Sequence, residues 1–280
     1  MQMNLPRRRA VSRHAFVTLV TNADYALGAT ALVRSLVLTG TAADIVVMHT
    51  GGVSVETLAP LAALGARLVE AELLPTSEAF NERHGRARIH ADHPFTKGCK
   101  PAFHTPLDNF AKLRLWQLNY DKVVFIDADA VVLRNIDKLF DYPEFSAAPN
   151  VYETLSDFRR LNSGVFVATP SQATFDDMLK RLDAPEALWP RTDQTFLQSY
   201  FTDWHGLPVF MNMLQYVWFN LPELWDWRSI SVVHYQYEKP WQPDNPKAEQ
   251  LRPLIEIWQA FYSGDNLPDI DELPGPGFSG

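Results

Sequence analysis

Two carboxylates, Asp127 and Asp129, stand one residue apart directly after the unbroken apolar run 123–126. β-Branched and aromatic residues in such a run are typical of a strand buried on both faces of a parallel sheet. Residues i and i+2 of an extended segment point the same way, so both carboxylates can converge on one hard cation. A cation held like this keeps open positions for phosphate oxygens. The alternative is an ordinary strand-end loop with two solvated acids.

The elements that must position these carboxylates alternate between strand and helix along the first 70 residues. Apolar residues fall on one stripe of residues 24–38, and Gly40 follows as a helix stop signal. A β-α-β-α-β order predicts right-handed crossovers and a parallel sheet whose ligands bind beyond the carboxyl ends of its strands. The predicted strands are 15–20, 44–48, 67–69, 122–126, 165–168 and the run 230–233, and the predicted helices are 24–38, 54–64, 108–118, 136–140, 172–182 and 193–200.

The segment 75–105 interrupts this alternation with three prolines, four histidines and little periodicity. Loops this long inside a compact domain are uncommon and often functional. Its basic side chains suggest a role in selecting an acceptor, and an exposed insertion without a role is the alternative. The spacing of His90, Asp92 and His93 is too unspecific to predict a metal site. The basic residues are Arg83, Arg86, Arg88, Lys97 and Lys100.

Composition and missing motifs exclude several classes of protein. A net charge of −8 argues against a nucleic-acid partner. No apolar run is long enough to span a membrane, and no signal-peptide pattern follows the basic cluster 7–9. The single cysteine, Cys99, suits a reducing compartment, so we expect a cytoplasmic enzyme. The dinucleotide-binding, P-loop, nucleophile-elbow and HExxH motifs do not occur.

Several short segments, in matching order, resemble glycosyltransferase family eight, the retaining sugar-nucleotide transferases that include glycogenin and galactinol synthase. The resemblance extends over nearly the whole chain. It implies one GT-A type α/β domain over residues 14–265, with a Rossmann-like, mainly parallel sheet flanked by helices. An N-terminal tail 1–13 precedes it, and a weakly ordered C-terminal tail 266–280 follows. The segments are 17–25, 111–113, 124–129 with 133–140, 161–166 with 193–194, and 233–235 with 239–241.

The resemblance assigns the nucleotide and the metal to particular residues. His234 matches the third ligand of the family's Mn²⁺, beside Asp127 and Asp129, with Mg²⁺ as the alternative ion. Lys239 would lie near the diphosphate, although its spacing from His234 is shorter than in glycogenin-like sequences and contains no glycine. The residues implied in nucleotide-sugar binding are Leu19, Thr21, Asn22, Tyr25, Lys112, Asp127, Ala128, Asp129, Asn162, Ser163, Gly164 and Lys239.

Structural roles are the alternatives for several of these residues. Asn22 can instead cap a helix, Tyr25 can be a core aromatic, and Lys112 can be a solvated helix residue. Asp193, Gln194 and Lys239 are the implied catalytic residues, and Asp193 can also serve as an N-cap. Many relatives carry an acid where this chain has Pro190, so a mechanism with two carboxylates in that motif is not supported.

The resemblance therefore implies Mn²⁺-dependent, retaining transfer of a hexose from a UDP-sugar, with UDP-glucose and UDP-galactose as the first donors to consider. No unambiguous nucleophile is present, which favours front-face attack by the acceptor. The acceptor, whether sugar, polyol, lipid or protein, and a homodimer are left open. The alternatives are a sugar-nucleotide-forming nucleotidyltransferase and a catalytically silent protein that binds sugar nucleotides or carbohydrate.

Overall fold

A seven-stranded sheet organises the computed structural model, which describes residues 13–89, 102–265, 267 and 269–276. A second sheet of three short strands lies beside it. The strands are β1 (His14–Val20), β2 (Asp44–His49), β3 (Arg67–Glu70), β4 (Lys122–Ile126), β5 (Ala130–Val132), β6 (Ser146–Pro149), β7 (Leu161–Ala168), β8 (His205–Gly206), β9 (Met213–Leu214) and β10 (Val232–His234). The α-helices are α1 (Ala23–Leu38), α2 (Val55–Ala63), α3 (Glu78–His84), α4 (Arg86–Ile89), α5 (Gln172–Leu182), α6 (Asp193–Tyr200), α7 (Val217–Asn220) and α8 (Arg252–Ser263).

The large sheet has the order β3-β2-β1-β4-β7-β6-β8 and is mostly parallel, as the sequence predicted. β1 pairs in parallel with β2 and β4, whereas β7 runs antiparallel to both of its neighbours. β4 is central, and its residues Val123–Ile126 are fully buried because helices cover both faces. The carboxyl ends of β1 and β4 therefore open at one edge.

The small sheet has the order β5-β10-β9 and begins directly after Asp129. β10 pairs antiparallel with β5 and parallel with β9, so His234 lies opposite Ala130 and Leu214. The backbone N–H of Tyr235 also donates to the Asp129 carbonyl at 2.8 Å. The small sheet thereby brings the end of β10 against the loop that follows β4.

Helix α1 packs closely on this loop. Asn22 caps the helix, since its Oδ1 accepts from the N–H of Tyr25 at 3.1 Å. A Cβ on Gly28 would lie 2.5 Å from the Ala128 carbonyl oxygen and 2.7 Å from the Trp241 ring. Glycine is therefore required for the close approach of the helix to residues 127–129.

The structure corrects several sequence-based boundaries. Residues 108–118 were predicted as an α-helix, but Asp108–Gln117 is 3₁₀-helical, with six of its ten side chains buried. The predicted strand 165–168 begins earlier, at Leu161, because polar residues at 162 and 163 hid its buried start. The segment 75–105 contains α3 and α4 instead of only loop, and His90, Asp92 and His93 lie outside the described residues.

The sequence did not predict β8, β9, α7 or α8 in the C-terminal part of the chain. Helix α8 has Pro253 in its first turn and ends at Gly264, which adopts φ +81°. Its buried residues pack beneath α1. Beyond it, Leu267, Ile270 and Leu273 pack against the apolar cluster to which the buried residues of α8 belong. The domain limits 14–265 stay a prediction. The remaining 3₁₀ turns are Asp137–Asp141, Leu155–Arg159, Val209–Met211, Pro222–Leu224 and Ile270–Glu272.

Candidate active site

A cavity of about 190 Å³ opens at the carboxyl ends of β1 and β4 and extends along β7. Most residues that the sequence singled out line it. Asn22, Gly164 and Lys239 are the exceptions and are not among the lining residues. The lining residues that were predicted are Leu19, Thr21, Tyr25, Lys112, Asp127, Ala128, Asp129, Asn162, Ser163, Asp193, Gln194 and His234.

Asp127, Asp129 and His234 converge as three potential metal ligands, with one ligand atom from each within 4.8 Å of the others. His234 Nε2 is 3.3 Å from Asp129 Oδ1 and 3.9 Å from Asp127 Oδ2. At these separations the three side chains could hold one divalent cation between them. Two carboxylates and one imidazole are a ligand set that could hold a divalent metal ion.

Two buried lysines hold the other oxygen of each carboxylate. Lys112 Nζ lies 2.9 Å from Asp127 Oδ1, and Lys239 Nζ forms a short ion pair with Asp129 Oδ2. The carboxylate oxygens that remain, Asp127 Oδ2 and Asp129 Oδ1, are those that face His234. The lysines therefore orient the ligands as outer-shell partners do in metal sites.

Burial and neighbouring charges shift the pKa values of Asp127, Asp129 and Lys112. Burial would raise the pKa of Asp129, but Lys239 and then His234 outweigh burial and hold that pKa well below its ordinary value. Burial raises the pKa of Asp127, and Asp129 adds to the rise although Lys112 opposes it. Burial would lower the pKa of Lys112, but Asp127 and Asp193 hold it above its ordinary value. Lys112 is therefore a permanent cation.

Asp193 is held by three hydrogen bonds at the start of α6. Its Oδ2 accepts from Lys112 Nζ at 2.7 Å and from Ser163 Oγ at 2.7 Å. Its Oδ1 accepts from Thr192 Oγ1 at 2.9 Å, so no helix N–H is capped by this side chain. These three hydrogen bonds fix the orientation of the buried carboxylate beside the cavity.

The loop after β1 packs against residues 102–105. Asn22 Nδ2 donates to the Phe103 carbonyl at 2.9 Å, so both groups of this side chain bind protein. The Tyr25 hydroxyl is 3.1 Å from His104 Nδ1, and its ring contacts Phe103 and Trp241 edge to face. Burial, then Asp129 and Asp127, raises the pKa of Tyr25 well above 10. Tyr25 is therefore a neutral, half-buried aromatic at the cavity edge.

Several lining residues were not predicted, since neither spacing nor motif marks them. Gln236 is the most informative, because within the described residues neither atom of its carboxamide has a hydrogen-bond partner. Its place in the shortened interval between His234 and Lys239 was the only available signal. The other unpredicted lining residues are Ile89, His104, Asn109, Asn150, Tyr152, Pro190, Arg191, Thr192, Leu214 and Tyr237.

Several known proteins are similar in sequence to this chain. The sequence model of the family described as Glycosyl transferase family 8 matches residues 16–245. UDP-glucuronate:xylan alpha-glucuronosyltransferase 2 of Arabidopsis thaliana is 33% identical over 240 residues, 82% of this chain and 36% of that protein. Galactinol synthase 2 of Solanum lycopersicum is 28% identical over 302 residues, 94% of this chain and 84% of that protein. The chain thus spans only about a third of the first relative's length.

Solved structures share the fold. An active-site mutant of LgtC superposes with a TM-score of 0.63 at 16% identity, covering 91% of this chain and 98% of that chain. The glycosyltransferase GlyE of Streptococcus pneumoniae gives a TM-score of 0.63 at 15% identity, covering 90% and 60%. The predicted GT-A fold is confirmed. Among the described residues, no helix combines the length and apolarity needed to cross a bilayer.

Proposed function

Because the chain belongs to glycosyltransferase family 8, we propose that it moves a hexose from a UDP-sugar to an acceptor with retention of the anomeric configuration. The observation that carries this proposal is the convergence of Asp127, Asp129 and His234 at the edge of a polar cavity. A site built to hold a divalent ion beside an open cavity is what a diphosphate leaving group requires.

The three ligands fit Mn²⁺, with Mg²⁺ as the second choice. A bound ion would neutralise charge on the diphosphate as it departs. The protein contributes the orientation of the ligands through Lys112 and Lys239. In the structure Lys239 forms an ion pair with Asp129. The contact of Lys239 with a diphosphate stays a prediction. Leu19, Thr21 and Tyr25 lie where we propose that the uracil binds.

Asp193 and Gln194 are proposed to line the face of the donor sugar. A carboxylate that already accepts three hydrogen bonds is better suited to orienting a sugar hydroxyl than to attacking the anomeric carbon. This favours front-face attack by the acceptor over a covalent intermediate on Asp193. The unpartnered carboxamide of Gln236 is proposed as a further contact to substrate hydroxyls.

The donor hexose is proposed from three candidates. UDP-glucose and UDP-galactose follow from the family. UDP-glucuronate joins them because the glucuronosyltransferases are similar to this chain and because Arg191 lines the cavity. The acceptor is unassigned, and a homodimer stays open. The proposed cytoplasmic location rests on composition, a single cysteine in 280 residues.

Donor hydrolysis tests the proposal. Purified protein with Mn²⁺ should release UDP from one of the three UDP-sugars, and EDTA should abolish the release. A nucleotidyltransferase would instead form UDP-sugar and pyrophosphate from UTP and a sugar phosphate. A silent binding protein would bind UDP without releasing it from any donor. Once an acceptor is found, the new bond should be α by NMR, and a β bond would contradict retention.

A further inference from the structure

A chain of buried side-chain amides ends on the metal-binding histidine. Asn212, which is fully buried, places its Oδ1 2.9 Å from His234 Nδ1. Its Nδ2 donates to Asn162 Oδ1 at 2.8 Å. Asn162 Nδ2 in turn donates to Asn150 Oδ1 at 2.8 Å. The amides run from the residue after β6, through β7, to the residue before β9. The sequence did not single out Asn212.

The direction of every hydrogen bond in this chain is fixed by one backbone group. Gly164 N–H, which can only donate, points at Asn162 Oδ1 at 2.8 Å. That atom of Asn162 must therefore be the carbonyl oxygen, and the Asn212 atom that also approaches it must be the NH₂ group. The oxygen of Asn212 then faces His234, so Nδ1 of the imidazole carries a proton.

From this polarity we infer that Asn212 and Asn162 are positioning residues, which hold His234 as the Nδ1–H tautomer so that its Nε2 is ready to bind the ion. Metal-binding histidines commonly donate their second ring N–H to such a partner. The predicted contact of Asn162 with the donor sugar stays a prediction, since Asn162 also lines the cavity. The inference deepens the proposed metal-dependent function and rests on it.

Gly164 completes the arrangement by leaving room for the imidazole. A Cβ at this position would lie 2.4 Å from His234 Cε1 and 2.5 Å from its Nδ1. The Gly164 carbonyl also accepts from the N–H of Asp127 at 2.8 Å. One residue of β7 therefore fixes the polarity of the amide chain, makes space for the histidine and anchors the carboxylate loop.

Nitrogen-15 NMR of the imidazoles tests the inference in protein without metal, at a pH where His234 is neutral. His234, assigned by its loss in His234→Gln, should show the Nδ1–H pattern in the wild type. Asn212→Leu keeps the branching of the side chain but removes both hydrogen bonds, and it should give a mixture of tautomers. Mn²⁺ binding, followed by electron paramagnetic resonance, should weaken by about 10- to 100-fold.

A pair of variants at Asn162 keeps the test decisive where Asn212→Leu fails to fold. Asn162→Asp retains an acceptor for Gly164 N–H and Asn212 Nδ2, so the Nδ1–H pattern should persist. Asn162→Leu lacks that acceptor and should lose the pattern. Ser146→Ala, which removes the hydrogen bond from a buried hydroxyl at the start of β6 to the Pro143 carbonyl, should leave the imidazole spectrum unchanged.

The outcomes separate this inference from the proposed function. A wild type with the Nδ1–H tautomer that binds no Mn²⁺ would overturn the metal site and the inference together. A wild type that binds Mn²⁺ with the Nε2–H tautomer would overturn the inference alone. The same holds if folded Asn212→Leu and Asn162→Leu keep both the wild-type spectrum and the wild-type Mn²⁺ affinity.

Discussion

Replacing Lys112 by methionine removes the cation that joins two carboxylates of the site. Its ammonium lies 2.7 Å from Asp193 Oδ2 and 2.9 Å from Asp127 Oδ1, with the Ser163 carbonyl at 3.2 Å. The side chains of Lys112 and Asp193 are only 4% and 6% exposed, so water cannot replace the ammonium. Lys112→Met therefore leaves two anions near each other in a poorly solvated place.

The expected loss follows from burial. Removing one partner of a buried ion pair costs about 3–5 kcal/mol. Asp127 is 29% exposed, so solvent weakens the part of the ion-pair energy that comes from Asp127. Asp193 keeps hydrogen bonds from two hydroxyl groups after the substitution. We therefore expect the free energy of unfolding to fall by about 3 kcal/mol, the lower end of that range. Added Mn²⁺ should recover part of it by neutralising Asp127.

Urea denaturation of a double-mutant cycle measures this effect. Lys112→Met combined with Asp193→Asn should be more stable than the sum of the two single losses by about 2 kcal/mol, because no anion is then stranded at 193. The exposed Lys180→Met is the matched control and should change stability by less than about 0.5 kcal/mol. A Lys112→Met protein as stable as that control would refute the reasoning.

Two further predictions concern His84 and Gly28. Burial lowers the pKa of His84, whose Nδ1 donates to the Phe80 carbonyl while its Nε2 accepts from Trp189 N–H. Because the pKa of His84 is lower in the folded than in the unfolded protein, neutral His84 contributes its full share of the folding free energy above about pH 6.5, and this contribution is lost as the pH falls below that value. The urea midpoint of the wild type should therefore drop more steeply from pH 8 to pH 5 than the midpoint of His84→Gln. Gly28→Ala should cost about 1–3 kcal/mol and weaken Mn²⁺ binding, because its Cβ collides with the Ala128 carbonyl. Gly52→Ala, with open space around it, should behave as wild type, and equal stability of the two variants would contradict the close packing of α1.

The sequence predicted the framework of the site because its signals are local. The apolar run before Asp127 specified a buried strand, and the alternation of elements specified the parallel sheet. The ends of α5 and α6 were also predicted from periodicity and turn residues. These features depend on neighbours in the chain, which a sequence displays directly.

Contacts between residues far apart in the chain could not be predicted from the sequence. Asn212 touches His234 across the two short strands β9 and β10, which have too few residues to show a period. The pairing of Lys239 with Asp129 joins positions 110 residues apart. The resemblance supplied His234, but its tautomer and its orienting partners depend on packing that only coordinates reveal.

Calorimetry of UDP binding tests the central claim most directly. Wild-type protein should bind UDP with Mn²⁺ present and lose most of that affinity in EDTA, since the ion would bridge the protein and the diphosphate. Asp129→Asn should bind weakly under both conditions, whereas the exposed Asp226→Asn should match the wild type. Equal UDP affinity of the wild type with and without Mn²⁺ would contradict the assignment of Asp127, Asp129 and His234 as the metal site.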